Sequence, residues 1–285
     1  MTCRPTTVAV SGHFGELLQG RLGADGPLAL VTLPAAGLRV TARFTPGPFA
    51  LHCTGGERVI LPAQAAAILR ALTGRPGGRL RVASDAPAGG GAGSSTAALL
   101  AVAAACAAAS GRPLPRPEAL ARLCHGLEGA TDPLMHPAPG RLLWAPRAAR
   151  TLAVMPPLPP FQVVGGFLGR GQPTDPVDLD FADISDLAAA WPAAAARGDL
   201  PGLAALSTES ARRNAARRGG SPLGPLLALA RRLGALGIAV AHTGAARALL
   251  FPPDAPVGEP TLAALRGLGL RRLHRFRLAG PTRGR

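Results

Sequence analysis

Three groups of residues have types and spacing suited to chemistry on phosphate. The densest is Pro87-Ala88-Gly89-Gly90-Gly91-Ala92-Gly93-Ser94-Ser95-Thr96-Ala97. Glycines lack Cβ, so the backbone there can approach a ligand closely and take positive φ, letting successive N–H groups converge on one anion. A helix starting at Ser94 would add its unpaired first-turn N–H groups and the positive end of its dipole. The hydroxyls of Ser94, Ser95 and Thr96 can cap that helix or reach a metal riding on a phosphate. The second group is Glu128-Gly129-Ala130-Thr131-Asp132-Pro133; by residue type alone it reads as a surface charge and a turn former before proline. The third is Gly12-His13-Phe14-Gly15-Glu16-Leu17-Leu18-Gln19-Gly20, with one carboxylate and one amide in an otherwise apolar stretch.

The elements that must position these groups follow from periodicity and breakers. An alternating run over 79–84 precedes the glycine-rich stretch, and an Ala/Leu/Val segment over 94–110 follows it, so the order is strand, loop, helix. Residues 6–11 alternate as a short strand, which makes 12–20 a turn forming a site wall. Residues 38–44 and 49–53 read as a strand pair interrupted by Pro46-Gly47-Pro48, and 62–72 as a helix with proline at a permitted first position. Leu120, Leu123 and Leu127 have helical spacing in 117–127, ending at the second acidic group. Pro156-Pro157-Leu158-Pro159-Pro160 is a stiff connector and predicts a boundary there. Beyond it, 161–168 reads as a strand, 182–196, 200–218 and 222–236 as helices, 237–251 as strand, small-residue turn and strand, and 270–278 as a half-exposed strand. Asp175, Asp178, Asp180, Asp183 and Asp186 lack the glycine and terminal glutamate of a calcium loop and read as a solvated loop and helix start. Ser207, Thr208, Glu209, Ser210 and Asn214 read as a solvated face.

Composition excludes several classes. All 31 basic residues are arginine. Without lysine there is no Walker loop, no Schiff-base lysine and no protein-kinase strand lysine. Gly89-Gly90-Gly91-Ala92-Gly93 also misses the glycine spacing of a dinucleotide fingerprint. Cys3, Cys53, Cys106 and Cys124 show no Cys-x-x-Cys spacing, and the six histidines are scattered, so neither a zinc site nor a disulfide framework is expected. The net charge of +15 raises nucleic acid as a partner. However, the arginines are dispersed and almost no aromatic residues lie near them, so nucleic acid is not expected. No apolar run is long enough to cross a bilayer and no basic-then-apolar leader pattern is present; a cytoplasmic protein with no membrane partner is expected.

The stretch 87–97 resembles the phosphate loop of the GHMP small-molecule kinases. Gly91, Gly93, Ser94 and Ser95 match its pattern, with Ala92 for the usual Leu and Thr96 for the usual Ala. Residues 11–20 are similar to the Gly-Glu-Leu-x-Gln-Gly motif of the L-threonine kinase branch, which includes the propanediol-utilisation kinase. Gly15, Glu16, Leu17, Gln19 and Gly20 match, whereas Ser11 and Phe14 stand where that branch has Pro and Cys. Glu128 to Asp132 is similar to its Glu-x-Thr-Asp segment. Ala241-His242-Thr243-Gly244 is similar to a third, glycine-containing turn that packs on the phosphate loop, with His242 structural.

The resemblance implies an α+β, two-domain GHMP kinase architecture: an N-terminal ribosomal-protein-like α+β domain with a left-handed crossover over 1–155, and a C-terminal ferredoxin-like domain over 156–285, with the site between them. It implies ATP and Mg2+ as cofactors and a small amino acid with a hydroxyl side chain as substrate. The expected reaction is L-threonine to O-phospho-L-threonine for cobalamin biosynthesis. The alternatives are homoserine or another small alcohol as acceptor, or an inactive nucleotide-binding regulatory protein. Nucleotide falls to Pro87, Gly89, Gly90, Gly91, Ala92, Gly93, Ser94, Ser95 and Thr96, and metal to Ser95 and Glu128, since magnesium on a nucleotide needs only one or two protein oxygens. Asp132 is the catalytic residue: phosphoryl transfer is largely dissociative, so an aspartate can orient the hydroxyl and take its proton late despite an ordinary pKa near 4. Glu16, Gln19, Thr243 and Gly244 fall to the substrate. An arginine for the substrate carboxylate is not identified, and the oligomeric state is left open.

Overall fold

The apolar and alternating segments assemble into one long mixed sheet with helices packed against it. The computed structural model describes residues 5–55, 57–172, 174–218, 223–241 and 243–278. In chain order the first half is β1 (Thr6–Arg21), β2 (Leu28–Thr45), β3 (Ala50–Thr54), α1 (Pro62–Thr73), β4 (Arg79–Ser84), α2 (Ser94–Ala109), α3 (Pro117–Glu128), β5 (Leu142–Ala145) and β6 (Arg150–Val154). The second half is β7 (Gln162–Phe167), α4 (Ser185–Ala196), α5 (Leu200–Arg218), α6 (Gly224–Arg232), β8 (Gly237–Val240), β9 (Ala246–Phe251), α7 (Glu259–Gly267) and β10 (Arg271–Arg277). The sheet order is β10-β7-β9-β8-β1-β2-β4-β3, with β5 and β6 branching from β2.

The last four strands are antiparallel in the order fourth, first, third, second, the ferredoxin-like arrangement of a β-α-β-β-α-β unit with extra helices in its first crossover. The fold is therefore the expected α+β type. In the first half, α2 is almost entirely buried and fills the space between the β1–β2–β4 layer and α1 and α3. Its Ala-rich sequence suits this place, since small side chains allow packing on every side of one helix. Among the described residues two β-bridges join the halves, Glu16 with Val240 and Arg21 with Asp183.

Three expectations are corrected. Residues 12–20 are not a turn: β1 runs unbroken to Arg21, paired with β2, and departs from regular pairing between Ser11 and Gly12, between His13 and Glu16 and between Glu16 and Leu18. Residues 38–44 and 49–53 do not pair with each other; each pairs with β4, which inserts between them, antiparallel on one side and parallel on the other. The polar stripe of α5 is not solvated, because Ser207, Thr208, Ser210 and Asn214 are buried against β1 and β8. The aspartate-rich stretch is a loop and helix start as read, but Asp178, Asp180 and Asp186 pair with Arg218, Arg217 and Arg213 of α5. No helix among the described residues is long and apolar enough to cross a membrane.

Candidate active site

The irregularities in β1 build one wall of the site. In a regular strand, side chains three apart face opposite sides of the sheet. Each extra residue in a bulge reverses that sense. Two register shifts, after His13 and after Glu16, therefore bring His13, Glu16 and Gln19 to the same side, where all three line a cleft of about 430 Å3. Gly15, at φ +73°, allows the first bulge, and a Cβ there would lie 2.7 Å from the backbone nitrogen of Ala241.

Opposite stands the glycine-rich loop. Gly89, Gly91 and Gly93 take φ values of +66°, +73° and +64°, which glycine adopts without strain. The carbonyl of Gly90 accepts from the N–H groups of Ala245 and Ala246, that of Gly91 from Gly15, and that of Ala92 from His13. Each trans peptide plane points its N–H opposite to its C=O. With those three carbonyls turned into the protein, the N–H groups of Gly91, Ala92 and Gly93 are directed the other way, toward the cleft. Gly93 then begins α2 with no side-chain cap, which leaves the first-turn N–H groups of Ser94, Ser95 and Thr96 facing the same space.

The third wall is the end of α3 and the turn after it. The Glu128 carboxylate accepts from Ser95 Oγ and, at 3.2 Å, from Thr96 Oγ1. Burial, helped by the nearby charge of Asp132, pushes its pKa up to about 7 although both hydroxyls oppose the shift. The Thr131–Asp132 pair is held by β5: Trp144 Nε1 donates to Thr131 O at 2.6 Å, and Thr131 N donates to Pro146 O at 3.0 Å. Asp132 faces His13, with Oδ2 3.3 Å from Nε2. His13 is buried, Glu16 lies 3.9 Å from its Nδ1, and Gly15 O lies 3.2 Å away. Burial alone would lower the His13 pKa; Asp132, then Glu16 and the Gly15 carbonyl, outweigh it and raise the pKa to about 9.

Of the sequence-derived site residues, Glu16, Gln19, Gly89, Gly91, Ala92, Gly93, Ser94, Ser95, Thr96, Glu128, Asp132 and Thr243 all line this cleft. Pro87, Gly90 and Gly244 do not. Gly90 and Gly244 are the packing surface behind the loop: a Cβ on Gly244 would lie 2.4 Å from the Gly91 nitrogen, and one on Gly90 would meet Pro87 and Phe167. His242 lies outside the described residues. Sequence reasoning missed His13 and Arg147, both on the cleft wall. The available signal was a histidine three residues before the motif carboxylate.

The cleft suits a nucleoside polyphosphate. Among the described residues nothing pairs with the amides of Gly91, Ala92 and Gly93, the uncapped start of α2 lines the same cleft, and no acidic side chain lies in its first turn. Among the described residues no three His, Cys, Asp or Glu side chains form a metal cage. Magnesium held between a protein and a bound phosphate needs fewer, and the Glu128 carboxylate lies beside Ser95 Oγ, two oxygens of the kind such an ion can take.

Comparison with known proteins agrees with this fold. Residues 61–136 match the family model of the GHMP kinases N terminal domain. The chain has the GHMP kinase fold. The mevalonate kinase of methicillin-resistant Staphylococcus aureus superposes with a TM-score of 0.65 at 15% identity, covering 96% of this chain and 98% of the other. For homoserine kinase from Cytophaga hutchinsonii the values are 0.61, 14%, 96% and 95%. For mevalonate pyrophosphate decarboxylase from Streptococcus pyogenes they are 0.66, 12%, 98% and 98%. No curated protein matches the sequence. Since this GHMP fold is shared by kinases and a decarboxylase, the reaction must be argued from the cleft.

Proposed function

We propose that this chain is an ATP-dependent phosphotransferase of the GHMP type, acting on the side-chain hydroxyl of a small amino acid, with L-threonine giving O-phospho-L-threonine. The supporting observation is the convergence in one cleft of the amide-lined loop, the Glu128–Ser95 oxygen pair and an aspartate held by a buried histidine. In this reading the units 1–155 and 156–285 each supply part of the cleft.

The amides of residues 91–96 hold the phosphates, and Glu128 with Ser95 holds magnesium. When bound, the ion neutralises charge on the phosphate oxygens. Asp132 orients the acceptor hydroxyl. As the hydroxyl oxygen bonds to the γ-phosphorus and the bond to the bridging oxygen breaks, releasing ADP, Asp132 takes the hydroxyl proton. Glu16, with Gln19, faces the acceptor; an anionic side chain there favours an ammonium group, and so an amino acid over a neutral polyol.

The test is ADP release with MgATP and a panel of L-threonine, L-serine, L-homoserine and mevalonate. Threonine-dependent release is expected, and Asp132→Asn lowers it about 10²- to 10⁴-fold while nucleotide binding persists. Release with another acceptor alone keeps the kinase and replaces the substrate. Binding without release for any acceptor supports a regulatory nucleotide-binding protein instead.

A further inference from the structure

Apart from Arg58 and His13, the ionisable residues lining the cleft are Glu16, Glu128, Asp132 and Arg147. Arg58 follows Glu57, which contacts the start of the glycine-rich loop. Arg147 lines the cleft next to Pro146, whose carbonyl anchors Thr131 beside Asp132. Its backbone is fixed there: Pro146 O accepts from Thr131 N at 3.0 Å, and Arg147 O lies 2.9 Å from His125 Nε2.

The guanidinium is far less well satisfied. Its one hydrogen bond among the described residues runs from an Nη to Asp175 O at 2.8 Å, and Nε is buried without a partner. Asp178, Asp132 and Asp175 attract it from a distance, yet among the described residues none forms an ion pair with it; Asp178 is taken by Arg218. A partly buried cation with an unmet donor is unfavourable by itself. Its planar edge, with Nε–H and a remaining Nη–H, matches a carboxylate in two-pronged geometry. In the kinase reading the loop amides and helix N-terminus take the polyphosphate, which leaves the acceptor's anion for Arg147.

We propose that Arg147 binds the carboxylate of the phosphoryl acceptor, so that the cleft selects hydroxy acids over plain alcohols. This rests on the kinase reading of the cleft.

The test measures equilibrium binding by calorimetry, in the presence of magnesium and a non-hydrolysable ATP analogue. L-threonine is compared with L-threoninol, in which the carboxylate is reduced to an alcohol; L-homoserine and mevalonate extend the hydroxy-acid set. In the wild type L-threonine binds about 10- to 100-fold more tightly than threoninol. Arg147→Gln removes that preference while the affinities for threoninol and the nucleotide analogue stay within threefold, and Arg147→Lys restores only part of it. Equal losses for threonine and threoninol, or a loss confined to the nucleotide analogue, overturn the assignment, as does a wild type that binds none of the three hydroxy acids. Arg147-dependent hydroxy-acid binding without ADP release would leave this assignment standing and sink the kinase reading.

Discussion

His13 lies between two acceptors. Its Nδ1 is 3.2 Å from the Gly15 carbonyl, which can only accept, and its Nε2 is 3.3 Å from the Asp132 carboxylate. An imidazolium donates to the Gly15 carbonyl and pairs through its charge with Asp132. Its folded pKa of about 9 exceeds the ordinary 6.5, so the stabilisation is complete below pH 6.5 and is lost as pH rises through 9. A window starting at pH 7.5 finds Glu128, raised to about 7, already largely ionised. Over pH 7.5–10 the wild type is predicted to lose up to about 2 kcal/mol of unfolding free energy from this group, at 1.36 kcal/mol per pKa unit. Urea melts of His13→Gln should lack that loss; an unchanged slope would show that the pair does not carry the charge assigned to it. The sequence shows this residue as a lone histidine in an apolar stretch. Its meaning comes from a carboxylate far along the chain, delivered by a turn that Trp144, Pro146 and Thr96 hold in place.

At the scale of elements, the departures of β1 from regular pairing explain the polar stripe of α5. Strand β8 pairs with β1 at Glu16 alone, so between there and the isolated bridge of Arg21 with Asp183 the edge of β1 facing the second half has no strand partner among the described residues. Gln19 N donates to Ser210 Oγ at 3.0 Å, Gln19 O accepts from Asn214 Nδ2, and Asn214 Oδ1 accepts from Ala182 N at 3.1 Å. Ser207 and Thr208 similarly serve Ile238 of β8. Removing such a side chain strands a buried backbone group. Ser210→Ala and Asn214→Ala are each predicted to cost about 1–3 kcal/mol, against less than about 0.5 kcal/mol for exposed Arg212→Ala. Urea midpoints that do not separate the three variants would refute this role. From sequence, such a stripe reads as a solvated face because helix patterning assumes that the buried side is apolar. The exception arises where the partner is an unpaired strand edge, and nothing in residues 200–218 announces the bulges of 12–20.

Over the whole molecule, the glycine-rich loop, α2, α3 and most of the second half were legible, because helices with proline starts and strands next to glycine turns carry local signals. Strands β5 and β6 and helix α7 were not. Leu142–Ala145 is a four-residue apolar run without alternation, and its place in the sheet depends on one bridge from Leu30 to Trp144. The juncture of the halves was equally hidden, and Glu57 is its clearest cross-link. One oxygen of its carboxylate accepts from Ala88 N at 2.9 Å, at the start of the phosphate loop, while the other meets Arg272 of β10 at 2.8 Å. The Arg272 contact is partly exposed and contributes little by itself. The Ala88 contact is a hydrogen bond from a backbone amide to a carboxylate, and it sets where the loop begins. Glu57→Ala is therefore predicted to weaken ADP binding about tenfold, equivalent to about 1.4 kcal/mol, whereas Glu57→Gln, which keeps an acceptor for Ala88, stays within threefold. Calorimetric titration of both variants decides it. Equal weakening would shift the weight to the Arg272 ion pair and make the grip on nucleotide a property of both halves; no weakening in either would mean that the loop is held by its contacts with β1 and with Ala245 and Ala246 alone.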